Sequence, residues 1–269
     1  MHADSDGAIH LGTSSFTAAG WESSFYPAGM KPAEYLTYYA TKFDTVEVDS
    51  TFYRAPSAST VEGWARKTPE NFIFAVKVPQ SITHEKILAD CDAEFTQFVK
   101  TMEILGEKLG PMLFQFPYFI RGVFTSGAQF IARLKPFLAK LPKGRMFAVE
   151  IRNKNWLDAG FAQLLRDHGV VLALQDQSWM PLPSAYKFDP ITADWTYIRW
   201  LGDRKEIENV TKTWDKVVVD RTSQLVSWVD FCYQIKKRGV SIFAYANNHY
   251  AGHAPATIKL FRKLWDASK

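Results

Sequence analysis

A chain of 269 residues that is 47% hydrophobic and 22% charged has the composition of a globular protein, which excludes a disordered or fibrous one. Its net charge of +4 and pI of about 8.9 favour anionic partners, but Lys and Arg are spread along the chain and do not mark a nucleic-acid binder. No apolar run approaches the roughly 20 residues that span a bilayer, so no membrane contact is expected.

No Gly/Ser tract, low-complexity run or solenoid-length repeat divides the sequence, so residues 1–269 are expected to form a single domain. Cys91 and Cys232 make no CxxC pair, and MHADSDG at the N-terminus lacks the apolar core of a signal peptide; a reduced, cytoplasmic setting is expected.

In chain order, Ile9 to Thr13 reads as a first strand, followed by an aromatic loop with Trp21, Phe25 and Tyr26. Pro32 opens a helix whose apolar side is Tyr35, Leu36, Tyr39 and Phe43. Thr45 to Asp49 (TVEVD) is the second strand. Its alternation sets Glu47 and Asp49 on the face opposite Val46 and Val48. Burying both carboxylates among helices would be costly, which directs them to a barrel mouth. Ser59 to Glu62 reads as a capping box.

Phe72 to Val78 is the third strand, with Lys77 near its end and Thr83, His84 and Glu85 in the following loop. Asp92 is expected to cap the next helix and Gly110-Pro111 to stop it. Met112 to Phe116 is strand four, carrying Gln115, and a helix from about Ser126 is expected to break near Pro136. Phe147 to Trp156 (FAVEIRNKNW) begins as an apolar strand and ends in charge, with Glu150 and Arg152 two apart and so on one side. Asp158 to His168 is its helix, closed by Gly169.

Strand six is Val170 to Leu174, followed by Gln175 and Asp176. The stretch after it, Ser178 to Asp194, holds three prolines and gives no regular helix. Trp195 to Trp200 is strand seven, with Arg199, and Leu201 to Arg221 is long enough for a lid or functional insert. Ser223 to Arg238 is a helix closed by Gly239. Ser241 to Ala246 is strand eight, ending in Asn247, Asn248 and His249, before a last helix to about Trp265. Eight strands alternating with about seven helices predict a (β/α)8 TIM-like barrel. Polar residues follow nearly every strand rather than one switch point, which disfavours a doubly wound sheet.

The pieces GTSSF with WESSFYP, TVEVDSTFYRAP, FAVKVP with TH, LGPMLFQFP, AVEIRNKNW, YIRWLG and FAYANNHYAGHAP run from about residue 9 to 265. In combination they resemble the YecE-like family, also called domain of unknown function family 72. The resemblance implies a TIM-like barrel and leaves the activity open. GTSSF departs from the pattern, which has a Gly and an aromatic after GTS, so no role is carried over to the first loop.

The strand ends bring Glu47, Asp49, Lys77, Gln115, Glu150, Arg152, Asp176, Arg199, Asn247 and His249 to one mouth, where barrel enzymes keep their sites. Glu150 is expected to act as acid or base, with Arg152 tuning it or holding an anion; the alternative is a structural ion pair. Lys77 is read as a cation for a carboxylate or phosphate in preference to a Schiff-base nucleophile. Asp176 joins the catalytic candidates, as one of a carboxylate pair with Glu47, Asp49 or Glu150. Asn247, Asn248 and His249 would hydrogen-bond a polar ligand, with His84 nearby. Tyr53 and Trp156, together with Trp21, Tyr26 and Trp200, would line the mouth and stack on a sugar or base.

No cofactor is expected. A divalent metal held by His84, His249, Glu150 and Asp176 is the alternative, unsupported by any HxH or HExxH spacing. No P-loop, GxGxxG or GxSxG motif is present. The function read from these residues is acid–base chemistry, hydrolysis or isomerisation, on a small polar or anionic molecule. Nucleic-acid binding or processing and non-catalytic small-molecule binding are the alternatives.

Overall fold

The computed structural model describes residues 7–268; the N-terminal segment read above for a signal peptide lies, Gly7 apart, outside them. The strands are β1 (Ile9–Thr13), β2 (Thr45–Val48), β3 (Ile73–Lys77), β4 (Leu109–Gln115), β5 (Phe147–Glu150), β6 (Val171–Asp176), β7 (Trp195–Trp200) and β8 (Ser241–Ala246). All pair in parallel, in the order β1-β8-β7-β6-β5-β4-β3-β2, which is the (β/α)8 TIM-like barrel expected. Around it lie α1 (Tyr35–Tyr39), α2 (Ala58–Arg66), α3 (Asp92–Met102), α4 (Gly127–Leu138), α5 (Ala159–Asp167), α6 (Arg204–Val210), α7 (Thr222–Lys236), α8 (Asn248–Ala251) and α9 (Ala254–Ala267). After β6 only a short 3-10 turn, Pro183–Ala185, interrupts the irregular segment.

The barrel closes where β1 meets β2, and side chains stitch that seam. The Tyr39 hydroxyl accepts from the Thr13 amide at 2.9 Å and donates to the Thr45 carbonyl at 3.2 Å. Lower down, Asp44 takes the His10 ring at 2.6 Å and the Leu11 amide at 3.4 Å. The approach is close enough to demand glycine: a Cβ on Gly12 would sit 2.2 Å from the Thr45 carbonyl oxygen.

Inside the barrel an apolar layer that includes Ala75, Leu113, Ala148, Ala173, Tyr197 and Tyr245 is fully or almost fully buried. Because side chains alternate along a strand, the residue two positions onward points the same way. Lys77, Gln115, Glu150, Gln175 and Arg199 therefore form the next layer up, toward the C-terminal mouth, with Glu47 two beyond Thr45. The larger apolar cluster lies between the sheet and the helices.

Local readings change in several places. The α2 cap is Ser57, whose side chain accepts from the Thr60 amide, in place of a box starting at Ser59. Cys91 holds the cap position of α3, and Asp92 is its first residue. Gly110 and Pro111 do not end a helix; they lie inside β4, where the β3–β4 register shifts between Phe74 and Val76. A proline cannot donate to a ladder, and such a break in register accommodates it. Pro136 sits two residues before the end of α4 without breaking it. The polar loop after β7 contains α6, and the residues after β8 fold as α8. Asp158, read as the first residue of its helix, is the cap of α5, its side chain accepting from the Phe161 amide, and Gly169 and Gly239 take the left-handed conformation that closes a helix. Both cysteines are free and buried. Among the described residues no helix is long and apolar enough to cross a membrane.

Candidate active site at the barrel mouth

At the C-terminal end of the strands Arg199 joins two carboxylates from distant parts of the chain. Its guanidinium donates to Glu47 at 2.9 Å and to Glu150 at 2.6 Å, and all three side chains are 3% exposed or less. The remaining Glu47 oxygen accepts from the Tyr197 hydroxyl at 2.6 Å, and the remaining Glu150 oxygen from Arg152 at 3.1 Å. The charges alternate from Glu47 through Arg199 and Glu150 to Arg152, so the chain of four is formally neutral. Burial drives the Glu150 carboxyl up, but Arg199 and Arg152 outweigh it and hold it below the usual carboxylate range. Glu150 is thus a fixed anion with both oxygens engaged.

Lys77 is set differently. It is 7% exposed and makes no ion pair among the described residues. Its ammonium donates to Gln115 Oε1 at 3.2 Å and lies 4.0 Å from the centre of the Phe52 ring. Thr51 fixes its backbone, accepting from the Lys77 amide at 3.0 Å and donating to the Lys77 carbonyl at 2.7 Å. Burial, with Arg199 adding to it, brings the amine down to about 8 against the pull of Glu47, Glu150 and Asp49. The sequence shows no desolvation of Lys77; the burial comes from the turn Asp49–Phe52, which follows β2 and folds over the strand end.

Asp49 opens that turn. Burial and the neighbouring Glu47 raise its carboxyl to about 6, with Lys77 and Arg199 opposing. His84 is brought down to about 4 by burial, then by Lys77 and Arg152, so its imidazole is neutral at pH 7. Its ring meets Phe52 edge-on and its Nδ1 lies 2.9 Å from the Thr83 hydroxyl.

These groups open into a cavity of about 1070 Å³. Its lining includes six cations, Lys77, Arg121, Arg152, Lys154, Arg199 and Arg204, against the single carboxylate of Asp49. Tyr53, Gln115, Trp156, Asn247 and His249 also line it, with Tyr53 71% exposed at the rim. Trp156 stacks on Phe119 and Phe130, which fixes that wall. A smaller pocket of about 270 Å³ adjoins it and shares Asp49, Asn247 and His249. Asn247 caps α8, and the His249 ring lies between Asn247 Oδ1 at 2.7 Å and Glu208 at 3.2 Å.

The other sequence candidates lie elsewhere. Asp176 follows the inward Gln175 and faces the helices, where its carboxylate accepts from Trp228 at 2.8 Å and from Tyr250 at 2.9 Å. Asn248 accepts from the Trp21 indole and the Ala254 amide and lines the smaller pocket rather than the main cavity. Tyr26 and Trp200 are fully buried in the core and do not line the mouth; Trp21 is buried too and contributes to the wall of the smaller adjoining pocket. Among the described residues no group of three or more His, Cys, Asp or Glu stands where it could hold a metal ion. Sequence reading missed Thr51, Phe52, Arg121, Lys154 and Tyr197. Only Tyr197 carried a signal, two positions before Arg199 and so on the same face.

Fold and mouth together define a (β/α)8 barrel with a cation-lined cavity at the C-terminal ends of its strands, over a buried ionic layer. The chain belongs to the DUF72 family, whose description is "Protein of unknown function DUF72" and which matches residues 10–269. It is similar to the UPF0759 protein YecE of Escherichia coli strain K12, at 30% identity over 50% of this chain. That match spans 47% of YecE, about half its length. The UPF0759 protein YunF of Bacillus subtilis strain 168 is similar at 25% identity over 96% of this chain and 95% of its own. A DUF72 family protein from Thermotoga maritima superposes with a TM-score of 0.76 at 27% identity, over 96% of this chain and 99% of that one. One from Enterococcus faecalis does so at 0.73 and 21% identity, over 96% and 95%, a likeness of fold.

Proposed function

We propose that this protein is an enzyme that holds a small anionic substrate in the cationic mouth and acts on it by proton transfer, in an isomerisation or hydrolysis. The observation that carries this reading is Lys77 and Asp49 lining one cavity, the amine brought down to about 8 and the carboxyl raised to about 6. Such pairs, moved toward neutrality from opposite sides, suit acid–base work near pH 7. Arg121, Arg152 and Lys154 would hold the substrate's negative charge. Asn247, His249 and Tyr53 would orient its polar groups. Glu150, with both oxygens engaged, fixes Arg199 and Arg152 and leaves the proton transfer to Asp49 and Lys77.

The test is thermal melting with inorganic phosphate, sugar phosphates and sugar acids. A ligand at 100 times its Kd adds about 2.7 kcal/mol to the folded state, a shift of several degrees. The expected result is a rise with one anion class that Arg152→Ala or Arg121→Ala removes; no rise with any of them refutes the reading. Nucleic-acid binding is favoured by one separate observation, the exposed Tyr53, Tyr118 and Trp179 beside Arg121 and Lys154. Its mark would be oligonucleotide affinity falling steeply with salt.

A further inference from the structure

We propose that Lys77 is an imine-forming nucleophile and that the substrate of the mouth carries an aldehyde or ketone carbonyl as well as an anionic group. This deepens the anion-binding reading and rests on it.

The buried layer divides its counter-ions unevenly. Two carboxylates, Glu47 and Glu150, lie in the same layer as Lys77, and either type of acid would be an ordinary partner for a buried ammonium. Both are given to arginine instead: Glu150 to Arg199 and Arg152, Glu47 to Arg199 with the Tyr197 hydroxyl on its other oxygen. Arginine cannot lose its proton in a protein, whereas a desolvated lysine can. The one cation of the layer able to become a neutral amine has been left with neutral partners, the Gln115 amide oxygen and the Phe52 ring. That arrangement suits an amine meant to be free.

Lys77 is also held still and open on one side. Thr51 lies within hydrogen-bond distance of both its amide and its carbonyl, and the side chain lines the large cavity. The neighbouring ring, His84, is neutral at pH 7 and adds no positive charge to the site. With the amine brought down to about 8, roughly a tenth of it is unprotonated at pH 7, about 300-fold more than for an ordinary lysine.

The chemistry balances without any further reagent. The Lys77 nitrogen lone pair forms a bond to the carbonyl carbon as the C=O π bond breaks toward oxygen, and one of the two amine protons passes from nitrogen to that oxygen. The resulting carbinolamine loses its hydroxyl as water, the proton for that departure coming from Asp49, which lines the same cavity. The product is a C=N imine; protonated, it withdraws electrons from the adjacent carbon and makes a proton or carbon substituent there easier to remove. Water then adds back to the C=N bond and returns the free amine and a carbonyl product. Arg121, Arg152 and Lys154 hold the anionic end of the molecule while this proceeds.

The experiment treats the full chain with pyruvate, or with glyceraldehyde 3-phosphate, in the presence of sodium cyanoborohydride at pH 7.5, followed by intact mass and peptide mapping. The hydride fixes an imine as a secondary amine. The expected result is one adduct per chain, on Lys77, formed at least tenfold faster than on any other lysine and slowed by inorganic phosphate. It is absent from Lys77→Arg and Lys77→Met proteins that melt cooperatively. Mapping on the unaltered protein decides the matter even if neither variant folds. Adducts spread evenly over the lysines overturn the proposal. A phosphate-induced rise in melting temperature with no Lys77 adduct overturns the imine and leaves the anion-binding reading standing; neither rise nor adduct overturns both.

Discussion

Replacing Arg199 by Met tests whether the buried ionic layer holds the barrel together. Met is unbranched and fills much of the arginine's volume, so the change removes charge more than packing. It leaves Glu47 with only the Tyr197 hydroxyl and Glu150 with only Arg152, both carboxylates fully buried. Each contact with Arg199 is worth about 4 kcal/mol at an effective dielectric near 20. Part of that returns once the guanidinium no longer has to be desolvated, and removing one partner of a buried pair costs about 3–5 kcal/mol net. For a chain of this size that is a fall in melting temperature of roughly 5–10 °C. The loss should depend on pH. Arg199 helps hold the Glu150 carboxyl below its usual range, so its stabilising contribution is present above the unfolded-state value near 4.3 and lost as pH falls through the folded-state value. The gap between the two proteins is therefore widest near pH 7.5 and narrower at pH 4. Urea unfolding followed by tryptophan fluorescence measures both. Glu150→Gln in the Arg199→Met background should recover part of the loss at pH 7.5. A loss under about 1 kcal/mol at pH 7.5, or one equal at the two pH values, would refute the electrostatic account.

Three further changes probe the mouth and the seam. Asp49→Asn should stabilise the protein at pH 7.5 by about 1–3 kcal/mol and leave it unchanged near pH 3.5. The wild-type carboxyl, raised to about 6, keeps its proton longer in the folded state than in the unfolded one, so its ionisation costs stability as pH rises from about 4 to 6; a lower melting temperature for the variant at pH 7.5 would contradict this. Lys77, brought down to about 8, loses its proton earlier when folded, so wild-type stability gains up to about 3 kcal/mol between pH 8 and 10.4. Urea midpoints across that range should show the gain in wild type and not in Lys77→Met. Tyr39→Phe removes the hydroxyl between Thr13 and Thr45 and should cost about 1–3 kcal/mol, with faster hydrogen exchange at the Thr13 amide; unchanged exchange there would mean the seam does not depend on it.

Much of the barrel can be read from local pattern, because alternation and strand-end polarity are local properties. Glu47 shows why: two positions from Thr45 and flanked by Val46 and Val48, it has only the barrel interior to occupy. Asp176 was legible by the same rule, since it follows Gln175 directly and the two cannot face the same side. Gly110-Pro111 carries the strongest breaker signal in its stretch, and only the neighbouring strand's register shows it to be an irregular strand. What no local pattern carries is partner choice. Arg199 meets Glu47 across 152 positions and Glu150 across 49. The burial of Lys77 likewise depends on a ring contributed by the turn after the preceding strand. The altered acidity of Lys77 and Asp49, which sets their chemical roles, follows from these non-local arrangements.

The link from Glu47 through Arg199 to Glu150 also bears on how the polypeptide can be built up during synthesis. β2 and β5 emerge long before β7, and until Arg199 arrives each carries a carboxylate destined for the interior without its principal counter-ion. A fragment ending after β4 would have to leave Glu47 in water or neutralise it, and neither is compatible with a closed inner layer. The N-terminal half is thus a poor candidate for a piece that folds alone, whereas the C-terminal half holds Glu150 together with both of its arginines. In the finished barrel it is the seventh strand that ties β2 to β5 across the interior.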